Sequence, residues 1–244
     1  MRKLAFVMAA AAVAAAVISS LTSASPDQGR ALLVENREQI VKLTPPSTPQ
    51  AGGTGFQLRA PSGKVYTVSN GHVCEAAEDG YMHAHRAGQA RPLKLKVIEI
   101  SEETDLCLLE GLPGASGLRL ADEMKEALPL YVLGHPGLSP LTVSEGYATQ
   151  RLNVKLAEYD REPEQCKGPT RAMETVPGPW GMLVRMCVRT VAAWDTDAVI
   201  KPGSSGSPVL QEDGVAGVIF AGHGMTSFGA MVPLEDVRKF IEIY

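Results

Sequence analysis

The sequence has no excess of basic residues, no apolar run long enough to cross a bilayer as a helix, and no closely spaced set of metal ligands. Each absence removes a class of function. Lys and Arg number 23 against 27 Asp and Glu, a formal net charge of −4. That balance gives a polyanion nothing to hold, so no nucleic-acid partner is expected. One long apolar run exists at residues 4–18, but its 15 residues fall short of the ~20 that a spanning helix needs. It follows Met1-Arg2-Lys3 and is followed by small polar residues ending Thr22-Ser23-Ala24, the layout of an export signal with Ala24 as the last residue removed. An uncleaved anchor is the alternative reading. No Cys follows the run, so a lipid anchor at that point is excluded. Residues 1–24 are therefore read as a signal peptide, the chain as periplasmic or extracellular, and no stable membrane span is expected after cleavage. Without Arg2 and Lys3 the count is 21 basic against 27 acidic residues, a mature charge of −6. His83-Ala84-His85 would put two imidazoles on one face of a strand, but no third ligand is near. They read as surface histidines, and neither a metal nor another cofactor is expected.

What the sequence does have is punctuation. It carries 24 Gly and 17 Pro in a chain that is 45% hydrophobic and 20% charged, too apolar for a disordered segment and too interrupted for a helical bundle. Residues 26–42 show an approximate helical pattern, stopped by Pro45-Pro46-Ser47-Thr48-Pro49. Short apolar runs then recur at 64–68, 93–100, 106–109 and 130–133, and again at 182–191, 209–210, 215–221 and 228–232. Gly, Pro, Ser and Asp separate them, without the regular helix-strand alternation of a parallel sheet, which predicts a barrel or sandwich. The polar stretch 158–181 between the two groups reads as an enlarged surface loop. Pro233 stands where a helix would begin, and Val237, Phe240 and Ile241 share one helical face. An all-β chain with a short helix at each end follows. Four cysteines, Cys74, Cys107, Cys166 and Cys187, make two disulfides plausible in an exported chain, with three pairings open.

Three polar sites interrupt the apolar background. His72 follows a strand-like run in Ser69-Asn70-Gly71-His72-Val73, Asp105 opens the strand Leu106-Cys107-Leu108-Leu109, and Ser205 sits in Pro202-Gly203-Ser204-Ser205-Gly206. Taken singly they read as a structural histidine, a turn residue at a strand entry and a flexible Gly/Ser turn. Together they are the parts that acyl transfer by serine needs. These are a hydroxyl nucleophile, an imidazole to take its proton, and a carboxylate to hold the imidazole tautomer. Their order, His-Asp-Ser, separates this chain from hydrolases with the orders Asp-His-Ser and Ser-Asp-His. The glycines around Ser205 allow a tight turn that aims backbone N–H groups at one point, where a tetrahedral oxyanion would sit.

At these residues the sequence resembles the trypsin-like peptidases, and within them the HtrA/Deg protease domain. Gly53-Thr54-Gly55-Phe56 looks like the family's first-strand glycine motif, Val68-Ser69-Asn70-Gly71-His72-Val73 its histidine segment, and Glu103-Thr104-Asp105-Leu106 its acidic-strand motif. Leu133-Gly134-His135-Pro136-Gly137 and Thr142-Val143-Ser144-Glu145-Gly146 are similar to two further segments. The run from Thr196-Asp197-Ala198 through Val199-Ile200-Lys201-Pro202 to Gly203-Ser204-Ser205-Gly206 is the most specific piece, and Gly229-Ala230-Met231-Val232-Pro233 resembles the join to the terminal helix. The likeness covers roughly residues 50–244. Ser207 departs from the pattern, standing where the family's Ser-Gly-Gly has its second glycine. With 11 residues after Pro233, no PDZ domain is expected.

The resemblance implies two packed six-stranded antiparallel β-barrels, chymotrypsin-like, with the site in the cleft between them. It divides the chain into 25–50 (N-terminal helix and Pro-rich linker), 51–128 (first barrel) and 129–244 (second barrel with C-terminal helix). It implies a secreted serine endopeptidase acting on polypeptides, with His72, Asp105 and Ser205 catalytic and the turn Gly203-Ser204-Ser205 forming the oxyanion hole. A non-catalytic homologue kept as a binding protein, and an esterase using the same triad, are the alternatives. The residue before the nucleophile is Ser204 rather than an acid, so activation through an ion pair with a new N-terminus is not expected. Val199 would form the base of the substrate pocket, and Ile219, Phe220, Ala221, Gly222 and Gly229 its walls. None is charged, which favours small or medium apolar residues on the acyl side of the cut bond; His223 is the one nearby group that could instead admit Glu. Cys166–Cys187 is expected to close the 158–181 segment. Cys74–Cys107 follows if His72 and Asp105 meet, since each Cys lies two residues further along, with two buried free thiols as the alternative.

Overall fold

The computed structural model describes residues 26–158, 163–168, 170–177, 182–222 and 229–244. The signal segment 1–24 and His223 lie outside the described residues. No helix among the described residues is long and apolar enough to cross a membrane.

A helix α1 (Pro26–Asn36) precedes β1 (Ile40–Thr44), β2 (Gly53–Arg59), β3 (Val65–Asn70), a one-turn helix α2 (Gly71–Cys74), β4 (Tyr81–Arg86), β5 (Leu93–Ser101) and β6 (Leu106–Glu110). These six strands close an antiparallel barrel in the order β1-β2-β3-β6-β5-β4. The boundary expected at residue 51 is thus too late, and the helix expected over 26–42 too long. Ile40 and Val41 are β-branched, and Ile40–Leu43 pairs residue by residue with Phe56–Gly53, which outweighs the loose helical periodicity.

The second half contains β7 (Leu130–Gly134), β8 (Thr142–Gly146), β9 (Ala148–Glu158), β10 (Arg171–Pro177), β11 (Leu183–Thr196), β12 (Pro208–Gln211), β13 (Gly214–Gly222), β14 (Gly229–Pro233) and helix α3 (Leu234–Ile241). These eight strands form one sheet. Only Tyr147 separates β8 from β9; β8 pairs with β7, and β9 pairs with β11. Counted as one bent strand, β8–β9 closes the path β7-β12-β13-β14-β11 into a six-membered ring. β10 is then an addition on the outer part of β11, so the segment expected to be a surface loop over 158–181 contributes a strand, paired from Arg171↔Arg189 to Pro177↔Leu183.

Strand periodicity explains why β6 and β7 are apolar runs rather than alternating ones. Leu106 and Leu108 face a cluster shared with Tyr131 and Leu133 of β7, while Cys107 and Leu109 face the first barrel's interior with Val41, Leu43 and Met82. Leu130 and Val132 turn the other way, to Trp194, Val209, Ile219 and Met231. Both strands are buried on both faces, and the shared cluster is the seam between the barrels. A leucine buried there contributes about 1.5–3 kcal/mol. α3 begins directly after Pro233 and buries Val237 and Ile241, with Phe240 partly buried against the same cluster.

Candidate active site

β3 runs into α2, which turns the chain so that His72 leaves the barrel end beside Asp105. Asp105 is 1% exposed and has a left-handed backbone, φ 56°. Its carbonyl accepts from Gly71 N–H (2.8 Å) and Asn70 Nδ2 (3.1 Å). Its carboxylate Oδ1 accepts from the His72 amide (3.1 Å), and its Oδ2 accepts from His72 Nδ1 (2.8 Å). A carboxylate acceptor at Nδ1 fixes the tautomer and leaves Nε2 with its lone pair toward the cleft, where the His72 side chain is 42% exposed. A Cβ on Gly71 would lie 3.1 Å from Asp105 Oδ1, so the close approach depends on glycine. Two residues further along each segment, Cys74 and Cys107 form a disulfide with Cα atoms 6.3 Å apart. Cys166 and Cys187 form the second.

Ser205 sits in the turn between β11 and β12, and first-barrel residues hold that turn. Thr54 N–H donates to Ser205 O (2.8 Å) and Thr54 Oγ1 donates to Gly203 O (2.9 Å) while accepting from His135 N–H (3.0 Å). Gly137 N–H donates to Pro202 O (2.5 Å), and Gly206 N–H to Ile219 O (2.7 Å). Gly203 and Gly206 have φ of 91° and 84°, a region costly for any other residue. A Cβ on Gly53 would meet both Ser205 O (2.7 Å) and Val73 Cγ2 (2.8 Å), so the Ser205 backbone and the residue next to His72 converge on one glycine. The Ser204 N–H is engaged by Lys201 O at 3.0 Å, which removes it from the expected oxyanion donors. The Gly203 and Ser205 N–H groups find no partner among the described residues. Among the described residues, Ser205 Oγ makes no hydrogen bond to His72. Catalytic contacts often tighten only when substrate binds.

Of the expected pocket residues, Val199 is 53% exposed, whereas Ile219 and Phe220 are 0% and 2% exposed. Ile219 packs with Trp194 and Val209, and Phe220 lies in the seam. Both side chains are therefore committed to the interior. Gly222 pairs with Gly229 at the end of β13 and β14.

Sequence reasoning missed the roles of Thr54, Gly134 and Arg189. Thr54 lay inside a quoted motif but was given no role. Gly134 and Ser207 fit each other, since a Cβ on Gly134 would stand 2.0 Å from Ser207 Oγ; the serine at the departing position therefore relies on a glycine in β7. Arg189 reaches Asp105 Oδ1 from β11 at 3.4 Å, and its only sequence signal was a charge within the apolar run 182–191. His135, beside the turn, donates from Nδ1 to Ser139 O at 2.9 Å. Burial pushes its imidazole below the usual value of 6.5, with Lys42 and His85 adding to the shift.

Two barrels, a buried aspartate holding a histidine, and a serine in a glycine turn define a trypsin-like serine peptidase domain. Residues 53–218 match the trypsin-like peptidase domain family, and the chain belongs to it. It is 29% identical over 198 residues to the putative protease Do-like 12, mitochondrial, of Arabidopsis thaliana, an alignment covering 78% of this chain and 33% of that protein. The chain thus spans about a third of the length of the curated relatives it matches. Among solved structures, the active form of the Rv3671c protease from M. tuberculosis superposes with TM-score 0.66 at 18% identity, covering 89% of this chain and 86% of that one. The serine endoprotease from Yersinia pestis gives 0.62 at 15%, covering 91% and 67%. At these identities the likeness establishes the fold.

Proposed function

We propose that this chain is an exported serine endopeptidase that cuts polypeptides through an acyl-enzyme, with Ser205, His72 and Asp105 as its catalytic residues. Ser205 Oγ attacks the scissile carbonyl carbon and gives its proton to His72 Nε2. The N–H groups of Gly203 and Ser205 hold the resulting oxyanion. His72 then protonates the amine as the C–N bond breaks, and a water, deprotonated by the same imidazole, hydrolyses the Ser205 ester. Asp105 keeps Nδ1–H in place throughout. The observation that carries this reading is the 2.8 Å contact of His72 Nδ1 with Asp105 Oδ2, in a family defined by peptidases. Two disulfides agree with an oxidising compartment.

The acyl-side pocket is proposed to rest on Val199, the β13 backbone and Gly229, all uncharged. A charged side chain there would lose water without gaining a partner, at several kcal/mol, whereas an aliphatic one gains about 1.5–3 kcal/mol. Val, Ala, Leu or Met should precede the cut. A peptide-library digest read by mass spectrometry tests this, and dominance of cleavage after Lys, Arg or Glu would refute the pocket. Casein and ester turnover compared on one preparation separates peptidase from esterase. A folded wild-type protein inert to both substrates would overturn the reading.

A further inference from the structure

β11 is 14 residues long, and its outer part carries the added strand β10. Cys166–Cys187 ties the segment before β10 back onto this arm. Two arginines of the arm reach across to the first barrel. Arg189 is 6% exposed; its Nη2 lies 3.4 Å from Asp105 Oδ1 and its Nη1 donates to Glu102 O. Arg171, opposite Arg189 in the strand register, places Nη2 2.9 Å from Glu102 Oε2. Both contacts fall on the turn that presents Asp105.

We propose that Arg189 is a positioning residue for Asp105, and that the added β10–β11 arm exists to bring this buried guanidinium from the second barrel to the carboxylate that orients His72. The inference rests on the triad reading above. Asp105 needs its carboxylate plane fixed so that Oδ2 stays on Nδ1; the His72 amide and Arg189 together hold the other oxygen. A guanidinium within a buried pair is weakly screened, so it also tempers the field that the carboxylate exerts on the imidazole. The charged groups meeting this turn among the described residues are His72 on α2, Glu102 and Glu103 within it, Arg189 on β11, Arg171 on β10 and Asp236 on α3, which lies within the field of Glu103.

Replacing Arg189 with an uncharged side chain leaves the carboxylate untempered and stabilises the imidazolium. The acid limb of kcat/KM, which reports the imidazole losing its proton, should then move to higher pH by about half to one unit. Activity at pH 7 should fall about tenfold, mainly in kcat. Arg189→Gln and the similarly sized Arg189→Met are both made, so that one folded variant suffices. Arg189→Lys keeps the charge and should hold the limb near its wild-type position. The same shift is read without turnover, from the NMR titration of the His72 ring in ¹⁵N-histidine-labelled protein assigned with His72→Ala. A folded uncharged variant whose His72 titration matches wild type overturns the proposal, even if its activity is reduced. If the wild type turns over no substrate yet the titration moves, the peptidase reading fails while the positioning stands.

Discussion

Removing the Thr54 hydroxyl should damage stability and activity together, because this one side chain joins the first barrel to the Ser205 turn. Thr54 is 0% exposed, and its Oγ1 donates to Gly203 O at 2.9 Å and accepts from His135 N–H at 3.0 Å. Thr54→Val keeps the shape and branching of the side chain and deletes both bonds. Two buried backbone groups then lose their partner, each at about 1–3 kcal/mol, so a loss of about 2–6 kcal/mol is expected. At about 2–4 °C per kcal/mol for a chain of this size, that is a fall in Tm of about 4–24 °C. The freed Gly203 carbonyl loosens the turn whose two flanking peptides carry the Gly203 and Ser205 N–H groups, which should lower kcat about 10–100-fold. Urea unfolding gives the first quantity and steady-state kinetics on a peptide substrate the second. Thr54→Ser, which restores the hydroxyl, should recover most of both. A Val variant within about 0.5 kcal/mol of wild type and with unchanged kcat would show that Thr54 does not anchor the turn.

Gly134→Ala should destabilise by about 2 kcal/mol or more through overlap with Ser207 Oγ, and Ser207→Gly in the same chain should recover most of that loss; additive losses in the double-mutant cycle would mean that the two sites are not in contact. Stability should also depend on pH through His135, whose imidazole is held below 6.5 by burial. Because its folded value is depressed, the unfolded chain takes up the proton first, so stability is full above about 6.5 and declines as pH falls through that value. His85 is shifted the same way by burial, then by Lys42 and His83. His135→Asn should therefore flatten only part of the decline measured by urea unfolding between pH 7 and 5, and an unaltered slope would contradict the burial argument.

The parts of this molecule that were legible in the sequence are those set by local pattern. Leu106–Leu109 and Leu130–Leu133 read as strands because they are buried on both faces, and the terminal helix because Pro233 precedes a 3–4 apolar spacing. The His72–Asp105 contact was legible only through order and chemistry, and Cys74–Cys107 followed from it. What escaped were features created by pairing between distant segments. Ile40–Thr44 forms a strand because Gly53–Phe56 lies beside it, and β10 because β11 extends past the barrel. The bend at Tyr147, the Thr54 bridge and the Arg189–Asp105 contact likewise join residues whose spacing in the chain carries no periodic signal. Ile219 and Phe220 were placed in the pocket from their alignment position, but the pleat sends their side chains into the core.

The central claim, that Ser205 is an activated nucleophile, is tested most directly by intact-mass and peptide mapping of the purified protein after exposure to a fluorophosphonate. A hydroxyl without a poised base reacts negligibly with such a reagent. The account predicts one adduct, located on Ser205, absent from Ser205→Ala and strongly reduced in His72→Ala. A folded wild-type protein that stays unlabelled, or one labelled on a different residue, would contradict it.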